Sequence, residues 1–114
     1  KRRAHLARQT WDDLGMIHAK LARLDTKAMF AVKAVFGPES AREHCWLRIN
    51  TLEGNAAIGV LDADARMVPG LQEGDVHRVN RDEISDWCVV LNDKRFDPES
   101  VPALWRVIDE LSQI

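Results

Sequence analysis

Apolar residues change their spacing along this chain, and each change predicts a different element. Over residues 3–24, Ala7, Thr10, Leu14, Ile17, Leu21 and Leu24 recur at steps of three and four, the spacing of one face of an α-helix. Arg8, Asp12, Lys20 and Arg23 fall largely off that stripe. The period then drops to two. Phe30, Val32, Ala34 and Phe36 alternate with Met29, Ala31, Lys33 and Val35, as a strand with one buried face requires. Gly37-Pro38-Glu39-Ser40 reads as a turn, and a second strand follows at 44–52. It carries Cys45, Leu47, Ile49 and Thr51 on one side and His44, Trp46, Arg48 and Asn50 on the other. Glu53-Gly54-Asn55 suits a hairpin, because Gly and Asn tolerate positive φ; residues 56–61 then pair back as a third strand. Residues 62–74 read as a loop punctuated by Pro69-Gly70. A short strand at 76–79, a turn or single helical turn at 81–85 and an apolar strand at 87–91 come next. In the last helix, Val101, Leu104, Trp105, Ile108 and Leu111 form the stripe. Pro102 is tolerated only in a first turn, which makes Ser100 the N-cap.

The sum is an α+β fold with an N-terminal helix, five short strands and a C-terminal helix. Sequential strands joined by tight turns pair antiparallel, so the expectation is a strongly bent sheet or a small SH3-like barrel with both helices packed on it. Residues 1–27 form the amphipathic basic helix and residues 28–114 the β-rich part, together one compact unit. A chain of 114 residues, 46% apolar and 30% charged, suits a single soluble domain and is too apolar for disorder. No apolar run approaches the roughly 20 residues of a membrane-spanning helix, and the expected location is the cytoplasm. The chain opens on Lys1, not Met, which leaves room for a signal or further region upstream.

Charge is uneven. Residues 1–27 hold seven Lys/Arg against three Asp, and residues 28–114 hold nine against fifteen acids. A uniform nucleic-acid surface is therefore not expected. A basic N-terminal patch of Lys1, Arg2, Arg3, Arg8, Lys20 and Arg23 keeps a nucleic-acid reading open, and the acidic body suits a basic protein partner. Cys45 and Cys88 each sit inside an apolar run and read as buried thiols.

No complete catalytic, cofactor or metal site emerges. Within Glu43-His44-Cys45-Trp46, strand alternation puts His44 and Trp46 on one side and Glu43 and Cys45 on the other, which works against a Cys–His pair. Structurally, His44 would rest near Trp46 while Glu43 anchors a loop. The candidate ligands His44, Cys45, His77 and Cys88 lack the short paired spacing of a zinc site, and Gly54, Gly59, Gly70 and Gly74 are spaced as turn residues. Ile84-Ser85-Asp86-Trp87 admits two readings. In one, Asp86 accepts backbone N–H bonds and Trp87 covers the end of the sheet while donating its indole N–H. In the other, Trp46 and Trp87 belong to an exposed recognition site, since tryptophan is enriched at binding hot spots.

Glu43-His44-x-Trp46, Gly59, Val68-Pro69-Gly70-Leu71, Glu73-Gly74-Asp75 and Ile84-Ser85-Asp86-Trp87 form an ordered set. Over residues 28–91 it resembles the uncharacterised bacterial YegJ-like domain of unknown function. The resemblance implies a small, twisted β-sheet and no established activity; relatives look like stand-alone or accessory modules, sometimes near toxin-neutralising domains. The family's further hairpin with Gly is missing after the Asp-Trp strand, and residues 92–114 read as turning straight into a helix. The functional expectation is a non-enzymatic module that binds an unidentified protein, in an immunity-like version a toxin, through Glu43, His44, Trp46, Asp86 and Trp87. Alternatives are a nucleic-acid-associated small barrel and, last, a hydrolase using Glu43 and His44. No cofactor, metal or membrane is expected, and the protein is read as a monomer or homodimer.

Overall fold

The computed structural model describes residues 2–113. Two helices, α1 (Arg2–Gln9) and α2 (Trp11–Arg23), precede strands β1 (Ala28–Phe36), β2 (Glu43–Glu53), β3 (Ala56–Leu61), β4 (Val76–Asn80), β5 (Ile84–Leu91) and β6 (Lys94–Phe96), and helix α3 (Val101–Ser112) ends the chain. The strands form one antiparallel sheet in the order β4-β3-β2-β1-β5-β6. This is the expected α+β fold with one strand more than the periodicity showed. The first and last strands in that order do not pair, so the sheet stays open and the SH3-like barrel does not form.

The missed strand is β6, which folds back on β5 through Asn92 and Asp93, both at positive φ (54° and 63°). Successive positive φ values are what a two-residue hairpin of matching twist demands, and Asn and Asp tolerate them. A hairpin thus does follow the Asp-Trp strand, with Asn-Asp where Gly was sought. Three residues of β6 are too few to show a period of two.

All three helices bury their stripes on one face of the sheet. Ala7, Trp11, Leu14, Ile17 and Leu21 from α1 and α2 join Leu104 and Ile108 from α3 in a single core with Phe30, Val32, Leu47, Leu61, Val79, Trp87, Val89 and Leu91. The single N-terminal helix expected over 3–24 is interrupted at Thr10 (φ −95°, ψ 11°). Its side chain explains the interruption's value: Oγ1 donates to the Leu6 carbonyl at 2.8 Å and accepts the Trp87 indole N–H at 2.9 Å. The Trp11 indole likewise donates to the Gly54 carbonyl at 2.7 Å, so both buried indoles have partners, as burial requires. At the start of α3, Ser100 is the boundary residue, but the capping hydrogen bond comes from Asp97, whose Oδ1 accepts the Glu99 N–H at 2.9 Å.

Two irregularities shape the other face. Between β2 and β3 the register shifts at Ile49/Thr51, and opposite that bulge a Cβ on Gly59 would stand 2.5 Å from the Arg48 carbonyl oxygen. Only glycine permits so close a strand approach. Between β1 and β5 the register shifts at Lys33/Ala34, leaving Ser85 as an extra residue. Ile84 and Trp87 on either side both face the core, so Ser85 and Asp86 turn outward together.

Candidate functional site: the open face of the sheet

Strand register places three rows of side chains on the face away from the helices. Trp46, Lys33 and Asp86 make one row. Val76, Val60, Arg48, Ala31 and Cys88 make the next, and Met29, Val90 and Arg95 the third. An antiparallel sheet with one wet face ordinarily alternates apolar inward with polar outward. Here the alternation fails: Met29, Val35, Trp46, Ile58, Val60, Val76 and Val90 are apolar and outward. Each stays partly or wholly accessible, with Val76 66% exposed.

Trp46 is half-buried at the centre. Lys33 Nζ lies 5.8 Å from its ring centre and Arg95 Cζ 5.7 Å, within cation–π range. Lys33 is the cross-strand neighbour of Trp46. Arg95 reaches it from β6, three strand spacings away, on the order of 14 Å. The span is possible because the side chains between are small; Ala31 and Cys88 lie beneath at 7% and 5% exposure. Burial pushes the Cys88 thiol up from its usual value, with nearby Arg95 pulling it down. Burial likewise raises the Cys45 thiol, which lies on the core face. Both cysteines are free and buried.

The bulge adds a polar corner. His44 Nδ1 is 2.9 Å from Ser85 Oγ, and Arg3, Ala4, Lys33 and Asp86 complete the wall of a cavity of about 410 Å³. Asp86 accepts the Trp87 backbone N–H at 2.9 Å and stands 3.9 Å from Arg3 Nε. That carboxylate is the main reason the Arg3 guanidinium is raised above its ordinary value. Arg3 also reaches Asp97 (3.3 Å) and Glu99 (3.7 Å), while Arg8 Nε donates to the Ile84 carbonyl. Two cations of the expected nucleic-acid patch are thus engaged in fastening α1 to the sheet; Lys1 lies outside the described residues.

The five residues read as one docking patch separate. Trp87 is 0% exposed and points into the core opposite Val32, whereas Trp46 points outward opposite Lys33. Val32 and Lys33 are adjacent, and adjacent strand residues face opposite ways; the Trp87 part of the patch is corrected accordingly. Glu43 also turns from His44. Its carboxylate accepts the Arg66 N–H at 2.9 Å and the Met67 N–H at 2.6 Å, which holds it below the usual carboxylate range and pins the 62–75 loop. Further pins are Glu73 N–H to Asp64 (2.8 Å) and Gln72 N–H to Asp75 (2.9 Å). Most of the ordered set of residues in the sequence is therefore the scaffolding of this loop and of Trp87. His44, Trp46 and Asp86 do share the open face. Nothing in the sequence singles out Lys33 or Arg95: Lys33 occupies an ordinary polar position of β1, and Arg95 belongs to β6, a strand too short to show a period.

A family described as an uncharacterized protein conserved in bacteria (DUF2314) matches residues 4–110. Over 75 residues the chain is 31% identical to "Uncharacterized protein YegJ" of Escherichia coli (strain K12), which covers 66% of this chain and 49% of that protein. The chain therefore spans about half the length of the curated relative it matches. No solved structure matches significantly. With the matched segment running from α1 into α3, the chain belongs to the DUF2314 family of bacterial proteins.

Proposed function

We propose that the protein is a binding module that docks a different polypeptide on the open face of its sheet. The observation that carries this reading is the set of apolar outward residues Met29, Val60, Val76 and Val90, which share with Trp46 the face of the sheet opposite the helical core. Contiguous exposed apolar surface rimmed by polar groups marks interaction sites, and Trp and Arg are the residues most enriched at their hot spots. A second copy is a poor occupant. Two-fold pairing of this face would bring the cations Lys33 and Arg95 of each copy toward those of the other, and like charges across an interface cost several kcal/mol. A toxin-neutralising role is one form of the proposal. The nucleic-acid reading has less support, because Arg3 and Arg8 are occupied within the fold.

A photo-crosslinking residue at Val60, compared with one at Glu110 on α3, tests the proposal in lysate of the source organism. The expected result is a discrete heterologous adduct from position 60 alone, lost when Trp46→Ala is added in a variant that still shows a cooperative thermal transition. Adducts of two copies would replace it with self-association, and equal or absent labelling at both positions would end it.

A hydrolase reading keeps one observation, the contact of Ser85 Oγ with His44 Nδ1, in place of the Glu43–His44 pair. A fluorophosphonate probe that labels the wild type and not Ser85→Ala would support it; no labelling of either would remove it.

A further inference from the structure

We infer that the docked polypeptide is acidic, and that Lys33 and Arg95 above Trp46 receive its carboxylates. The inference rests on the docking proposal and names the chemistry of the occupant. Arg48, Arg78 and Asp86, which also lie on this face, are each matched within the fold. Arg48 Nη2 is 3.0 Å from Asp62 Oδ1 and Arg78 Nη1 is 3.2 Å from Glu53 Oε2, while Asp86 faces Arg3. Among the described residues, Lys33 and Arg95 have no carboxylate within ion-pair distance.

Two cations sharing one indole repel each other, and each is attracted to the ring only weakly. They reach it from different strands, β1 and β6, with the small residues Ala31 and Cys88 on β1 and β5. A carboxylate between them would relieve the repulsion and form charge-assisted hydrogen bonds, the stronger kind. Apolar neighbours of that carboxylate would cover Val60, Val90 and the exposed part of Trp46, excluding water and strengthening the contact. The chemistry required is a segment in which Asp or Glu alternates with aliphatic residues. The net charge of −2 points the other way only because the acids lie elsewhere or are paired.

Fluorescence anisotropy with three labelled twelve-residue peptides tests this: one alternating Glu and Val, one with Gln for Glu, and one with Lys for Glu. The Glu peptide should bind at least about tenfold more tightly than the Gln peptide, the scale of one charge-assisted contact. Its binding should weaken as salt rises. Arg95→Gln should remove part of that preference, and Lys33→Glu with Arg95→Glu should invert it toward the Lys peptide, with the thermal transition unchanged in each. Equal binding of the Glu and Gln peptides, no binding of the Glu peptide at millimolar concentration, or a preference that survives charge reversal would overturn the inference. If the heterologous adduct at position 60 forms with the same yield in the charge-reversed variant, the docking proposal stands and this inference alone falls.

Discussion

The two faces of this sheet each carry a tryptophan, and the two residues of β1 that they oppose are neighbours. Trp87 lies across from Val32, under the helices, with its indole N–H held by Thr10. Trp46 lies across from Lys33, with one face of its environment left to solvent and two cations within 6 Å. The same side chain has opposite consequences because one site supplies neighbours on every side and a partner for the only polar atom. The other supplies charges that are themselves unmatched. A tryptophan on a strand is structural or available according to what the opposite layer covers, and strand parity decides which.

The largest effect expected is at Trp87. Trp87→Ala should cost about 3–5 kcal/mol, the range for emptying a large buried aromatic site, whereas Trp46→Ala should cost less than about 1 kcal/mol, the scale of an exposed cation–π contact. Denaturant titration of both variants measures the difference; similar losses would erase the distinction between the faces. Next is Thr10→Val, which keeps the shape and removes the acceptor. Leaving the buried indole N–H unpaired should cost about 1–3 kcal/mol, and Trp87→Phe in the same background should recover part of it, read as a non-additive double-mutant cycle.

The smallest effect is pH-dependent and local. Glu43 is held below its ordinary value of 4.5 first by the Arg66 N–H and then by the Met67 N–H. A carboxyl lowered in the folded state contributes stability above 4.5, and that contribution is lost as pH falls through the folded value. Protection of the Arg66 and Met67 amides, measured as exchange relative to the intrinsic rate at each pH, should therefore fall below pH 4.5 in the wild type. In Glu43→Ala it should be low at every pH, with the core amides of β1 and β5 unaffected. Protection that is insensitive to pH in the wild type would show that the carboxylate does not pin the loop.

The apolar periods carried much of the architecture. Steps of three and four marked the stripes of Leu14, Ile17 and Leu21 and of Leu104 and Ile108, all of which reach the core. Alternation marked β1, β2 and β3. The break at Thr10 was not legible, because backbone hydrogen bonds continue past it and its side chain's partner is an indole 77 residues away in sequence. β6 was the more recoverable loss: Asn92-Asp93 is a hairpin signal that the shortness of the strand obscured.

What the chain's own pattern determined was which residues share a side of each strand, since that follows from a backbone period of two. Thus His44 and Trp46 were placed together from the outset, and Glu43 was placed apart from them. What only the folded molecule decided was which side of each strand met the helices, that the extra residue Ser85 stands outward beside Asp86, and that Arg95 crosses two strands to reach Trp46. Those outcomes depend on register between segments distant in sequence, and register is set by packing the whole sheet at once.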